Sequence, residues 1–268
     1  MHRQNIKTIK NMRLQFLVPA LVAGLMALTT SCSKDNDKTE PEITNDAYKN
    51  LTVKEGEVKE IKYLNANTAN KWVYFSFEKG IVEETTATPT TSNWDIAFNR
   101  YHVRTNSGTS GSGNGGALNT QLKDFTQVTT ASTTASYTVD SQVRIASYQG
   151  NQQGGNATIS VSSELEIGHG EGFWKYIMPR VPDFDKIPDN VKAAMKAQMV
   201  HNNGWFTMDY TSANATAPSY TYNNWVYVVK TPAGKFVKIQ LTDYKNAKDE
   251  TGYITFKYQL ANDKNEFK

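Results

Sequence analysis

The chain has 268 residues, 38% hydrophobic and 21% charged, which excludes collagen, a coiled coil, a polytopic membrane protein and wholesale disorder. Fourteen Tyr, eleven Phe and abundant Thr and Ser favour strands, and a single cysteine excludes an internal disulfide framework and any cysteine-based zinc site. The net charge of +3 is carried by the first 31 residues: without their four bases, Lys+Arg falls from 29 to 25 against 26 acids, leaving no electrostatic case for nucleic acid.

Arg3, Lys7, Lys10 and Arg13 precede an apolar run, Leu14 to Leu28, interrupted by Gln15 and softened by Pro19 and Gly24. Thr29-Thr30-Ser31 and Cys32 follow, so residues 1–31 read as a signal peptide whose run is shorter than the ~20 residues of a membrane span. Cys32, placed directly after the apolar run, resembles the acylated cysteine of the bacterial lipoprotein signal. Residues 32–50 then form an acylated N-terminus and flexible tether, polar and containing Pro41. The acidic cluster behind Cys32 resembles the surface-export signal of Bacteroidota lipoproteins. The expected location is the outer membrane, facing the extracellular side, with membrane contact through the lipid anchor only.

Residues 51–268 read as one antiparallel, all-β domain with a short helical insertion. Lys71–Phe77 and Asn93–Phe98 are aromatic-rich strands; in the second, Trp94, Ile96 and Phe98 share a face, and Tyr101 and Val103 carry on in the opposite phase, predicting a bulge or bend near Arg100. Val143–Tyr148, Ala157–Ile167 and Trp205–Tyr210 are further strands. Trp225–Lys230, the turn Thr231-Pro232-Ala233-Gly234 and Phe236–Thr242 make a hairpin, with Val237, Ile239 and Leu241 facing one way and Lys238 and Gln240 the other. Tyr253–Leu260 repeats the alternation.

Asp185–His201 breaks the pattern. Pro188 suits a first helical turn, Val191, Met195 and Met199 form a stripe, and Gly204 is placed to end the excursion, about 185–202. Asn106–Gly116 reads as a flexible surface loop; its glycines do not form a dinucleotide or phosphate loop, because no βαβ unit surrounds them and no Lys-Ser/Thr follows.

No acid/base pair, nucleophile elbow or H-E-x-x-H spacing is present, so the chain is not expected to be an enzyme. Beyond the signal only His102, His169 and His201, and Met178, Met195, Met199 and Met208, remain. Met195 and Met199 belong to the helix stripe. Met208 and Tyr210 share a strand face and offer one iron a thioether or a phenolate, although packing suffices to explain either alone.

Lys71–Val82, Asn93–Ala117, Gly204-Trp205 and Ile239–Tyr258 resemble the HmuY family, haem-binding, haemophore-like lipoproteins of Bacteroidota. The resemblance spans about Lys71 to Tyr258. It implies a haem pocket in an all-β fold, surface anchoring through Cys32 and handover of haem, or another porphyrin, to a TonB-dependent outer-membrane receptor. It further implies two axial iron ligands. One falls on or beside Tyr210, with Met208 the alternative. The other would come from Gln149–Glu166, which holds neither His nor Met, so His169 is the nearest candidate and Met178 the next. The expected iron ligands are therefore Met208 or Tyr210, opposed by His169. The alternative is a non-haem interaction module that binds another small molecule, a glycan or a protein on the same scaffold.

Overall fold

A computed structural model describes residues 43–89, 91–144 and 158–268. The signal segment, Cys32 and the tether through Glu42 lie outside the described residues, as do Ile145–Tyr148 of one expected strand and Ala157 of the next. Among the described residues no helix is long and apolar enough to cross a membrane.

Two antiparallel sheets pack face to face. The first is ordered β3-β2-β4-β5, from β2 (Trp72–Ser76), β3 (Gly80–Thr85), β4 (Ile96–Asn99) and β5 (His102–Thr105). The second is ordered β1-β14-β13-β12-β6, from β1 (Val58–Asn65), β6 (Gly116–Asn119), β12 (Tyr227–Lys230), β13 (Phe236–Lys245) and β14 (Thr251–Leu260). Period-two alternation sends Phe75, Ile96 and Phe98 from one sheet against Ile239, Leu241, Phe256 and Tyr258 from the other. The Phe75 and Phe98 rings meet Phe256 at centroid distances of 5.6 and 5.3 Å. Such pairs add to the burial of aromatic area, the main favourable term in a core of this kind.

The outer face of β13 is not left to solvent. Lys238 and Gln240 are buried beneath the 122–128 segment, Lys238 Nζ donating to the carbonyls of Phe125 and Val128 at 3.0 Å each and Gln240 Nε2 to that of Lys123 at 2.7 Å. Their polar ends supply the hydrogen bonds that an irregular covering segment needs.

The bend expected near Arg100 is a two-residue hairpin turn: Asn99 and His102 close the β4–β5 ladder and Arg100 takes φ 52°. The Asn106–Gly116 segment corrects the expectation of a flexible surface loop. Asn106, Ser107 and Ser110 are buried, Asn106 Nδ2 donates to the Trp94 carbonyl at 3.0 Å, and Gly113 N donates back to Asn106 Oδ1 at 2.9 Å. A Cβ at Gly111 or Gly113 would collide with the Asn106 side chain, so glycine here serves close packing.

A third sheet, ordered β11-β10-β9, carries β10 (Phe206–Asp209) between antiparallel β11 (Ser219–Tyr222) and the two-residue β9 (Gly168–His169), which runs parallel to it. β7 (Ser141–Arg144) and β8 (Thr158–Val161) form a separate pair. β8 ends at Val161, short of the expected Ile167, because the chain turns over Ser162–Glu166 before entering β9.

The helical excursion starts earlier than its stripe indicated and contains two helices, α1 (Glu171–Tyr176) and α2 (Asp189–Met199). Pro188 precedes α2 with ψ 145° rather than lying in its first turn, and Ile187 before it is extended at ψ 129°, as the proline ring requires. α2 ends five residues before Gly204, where Val200 leaves helical geometry to bridge His169. Gly204 is needed for another reason: a Cβ there would enter the Glu166 carbonyl. Met199, Phe173, Ile177 and Met178 form the core of the excursion, with Met195 packed against it.

Candidate functional site

β10 and β9 are held side by side by glycines. In Gly168-His169-Gly170-Glu171-Gly172 each glycine lies where a Cβ would collide: with the His201 carbonyl at Gly168, the Asp209 carboxylate at Gly170 and the Tyr210 carbonyl at Gly172. Asp209 then accepts from Phe173 N at 2.7 Å and Gly170 N donates to the Met208 carbonyl at 2.9 Å, so the end of β10 fixes the start of α1.

This junction forms one wall of a cavity of about 480 Å³, within the ~300–1,000 Å³ of small-molecule sites. His169, Met208 and Tyr210 all line it, and Met178 is instead buried in the helical cluster. Arg100, Tyr101 and His102 enter from the β4–β5 hairpin, Phe173 and Arg180 from the excursion, and Tyr220 and Tyr244 from the sheets. Phe173 packs on the His169 ring at 4.1 Å and on the Tyr210 ring at 6.1 Å.

Met208 and His169 are register partners, so their side chains leave the same face of adjacent strands. The picture of His169 standing opposite Met208 therefore gives way to one in which the two stand side by side. Tyr210, two residues on, shares the wall.

A smaller cavity of about 270 Å³ adjoins, sharing Tyr101, His102 and His169 and adding Glu166, Met199 and His201. All three histidines beyond the signal thus border the two cavities. His102 Nδ1 and Glu166 Oε1 are in hydrogen-bond contact at 2.6 Å, and the tautomer that donates from Nδ1 leaves Nε2 free to accept. Glu166 Oε2, His169 Nδ1 and His201 Nδ1 are buried with no protein partner. Burial, then the nearby His201 and His102, lower His169 to about 4, so its imidazole is neutral at physiological pH. Burial lowers His201 as well. The Tyr210 phenol is raised by burial, with Arg180 partly offsetting this. Among the described residues no three His, Cys, Asp or Glu side chains are arranged to hold a metal ion unaided.

Sequence reasoning missed His102 and Arg100, which lie in the quoted Asn-Arg-Tyr-His tract but stand far from β10 along the chain. The alternating glycines around His169 were the readable signal for a crowded backbone junction.

A sheet sandwich that carries a side cavity lined by unpartnered imidazole nitrogen, thioether and aromatic rings has the architecture of a ligand-binding protein. The sequence profile described as HmuY protein matches residues 68–258, and the chain belongs to the HmuY family, a family of binding proteins associated with haem. Similar solved structures include a provisionally assigned HmuY-like haem-binding protein of Bacteroides vulgatus, at 21% identity over 78% of this chain and 96% of that one, with a TM-score of 0.48. A provisionally assigned lipoprotein of Bacteroides fragilis matches at 19% identity over 80% and 96%, TM-score 0.47. The apo HmuY analogue of Tannerella forsythia matches at 18% over 77% and 95%, TM-score 0.38. No curated protein matches the chain.

Proposed function

We propose that this protein is a cell-surface lipoprotein, anchored through Cys32, that binds haem non-covalently and passes it to a TonB-dependent outer-membrane receptor without catalytic turnover. The observation that carries the reading is the convergence of His169, Met208 and Tyr210 on one cavity of about 480 Å³ in a chain of the HmuY family.

Met208 and His169 project from strands ~4.8 Å apart on one face, so this wall would offer haem iron one donor rather than two. His169 is best suited, being neutral and having a buried Nδ1 without a partner; the Tyr210 phenol would first have to lose a raised proton. Met208 would pack beside the ligand, and His102 on β5, whose contact with the Glu166 carboxylate orients the ring as carboxylates orient metal-bound imidazoles, would be the second donor. The haem supplies the iron; the chain supplies donors, apolar walls and exclusion of water.

Titrating haemin into the purified protein should give a saturable, shifted Soret band, and an unshifted spectrum overturns the reading. That outcome would favour the second reading, a site on the same scaffold for another small molecule, a glycan or a protein, which the shared wall of Met208 and His169 supports.

A further inference from the structure

The large cavity contains two guanidinium groups and no acid. Arg100 and Arg180 line it, no Asp or Glu does, and neither arginine forms an ion pair among the described residues. The neighbouring carboxylates are engaged elsewhere: Asp209 caps α1, and Glu166 opens onto the adjoining cavity with His102.

Arg100 is the more telling of the two. It is half-buried, and its Nε is buried with no hydrogen-bond partner. Tyr101, Tyr220 and Tyr244 surround it, with Tyr244 at ring distances of 6.0 Å from Tyr101 and 5.7 Å from Tyr220. Burial raises all three phenols, Tyr220 to about 12, so none supplies a negative charge. Its φ of 52°, in the second-to-last place before His102, is one that Gly or Asn adopts more readily.

Arg180 is exposed at the rim, beside Tyr210, with one terminal nitrogen donating to the Ala213 carbonyl and further N–H donors to spare. For Arg100, a cation partly withdrawn from water without a counter-charge is costly, and the planar guanidinium fork of either arginine matches a carboxylate or a phosphate. The lining includes the aromatic and apolar side chains of Phe173, Ile177, Tyr210 and Tyr220, which suit a flat ring system better than a hydrated phosphate.

We propose that Arg100 and Arg180 hold the carboxylates of a planar, aromatic dicarboxylate in this cavity, so that recognition of the acid groups, and not of a metal alone, selects the ligand. This rests on the reading of the cavity as the haem site and adds to it the part of the ligand that the chain recognises by charge.

The experiment compares haemin, iron-free protoporphyrin IX and protoporphyrin IX dimethyl ester on the purified protein, by absorbance and by quenching of protein fluorescence. The free diacid should bind within about tenfold of haemin, and the ester at least tenfold more weakly than the free diacid, about 1.4 kcal/mol. Arg100→Gln and Arg180→Gln should each weaken the diacid about tenfold and leave the ester unchanged. Equal binding of diacid and ester overturns the inference while haem binding stands, as does haemin binding with no binding of the iron-free diacid. Failure of every porphyrin overturns both. The ester comparison needs no variant, so it decides the matter even where an arginine replacement does not fold.

Discussion

His169 and Met208 occupy matching positions on neighbouring parallel strands, their backbones in register and their side chains on the same wall. Two side chains that the primary structure separates by thirty-nine positions are thereby brought onto one face of adjacent strands.

Substitution should separate their roles. His169→Ala should weaken haemin binding about tenfold or more and move the bound Soret maximum, whereas Met208→Ala should leave the maximum in place and weaken binding only about threefold, the scale of lost packing. Tyr210→Phe should behave as wild type. A bound spectrum that changes with Met208→Ala and not with His169→Ala would reverse the assignment.

Acid should act through His169. The unfolded chain takes up this proton near pH 6.5 and the folded chain only near pH 4, so the stability His169 contributes is complete above pH 6.5 and is lost as pH falls towards 4, at up to about 1.4 kcal/mol per pH unit. Asp95 and Asp140 run the other way: burial raises both to about 6, so their contribution is present below pH 3.8 and lost as pH rises through 6. Urea midpoints at pH 4.5 and 7 should therefore show a larger acid loss in the wild type than in His169→Gln. Equal losses would show that the ring titrates normally.

Asp140 anchors the turn after β5. It accepts from Thr105 N at 2.8 Å and Thr105 Oγ1 at 2.6 Å, and its own N–H donates to Ser107 Oγ at 3.0 Å. Asp140→Ala removes these two accepted bonds and a third from Ser107 Oγ at 3.3 Å and leaves buried donors unmet, which should cost about 3 kcal/mol. Chemical denaturation measures it, and a loss below about 1 kcal/mol would mean that water replaces the carboxylate.

Gly168→Ala tests the crowded junction. The new methyl would collide with the His201 carbonyl, so β9 and the segment that follows α2 must part, at an expected cost of about 3 kcal/mol. Limited proteolysis should then cut between Val200 and Gly204 earlier than in the wild type; an unchanged pattern would show that the backbone absorbs the methyl.

The sandwich was legible because its strands are long enough to express a period. Val237, Ile239 and Leu241 on β13 and Ile254, Phe256 and Tyr258 on β14 alternate cleanly and are buried as that alternation requires. β9 could not be read this way, since two residues carry no period, and its partner β10 follows only after both helices. The same distance concealed the meeting of Arg100 and His102 with His169, a product of tertiary packing that local pattern does not encode. On β13 Lys238 and Gln240 do face away from Val237, Ile239 and Leu241, but the alternation could not show that a remote segment folds over them and uses their donors. The helix stripe at Met195 and Met199 was readable, and its start was displaced because Pro188 forces the preceding residue into extended geometry.

Val200 bridges His169 on the side of β9 away from β10, so the chain leaves for α1 and returns from α2 at nearly the same point. The whole excursion is thus a closed handle grafted onto a two-residue hinge. Its length can change without re-spacing either main sheet, because the distance its ends must span is already that of neighbouring strands. A change of length there would reshape one rim of the cavity and leave both main sheets as they are.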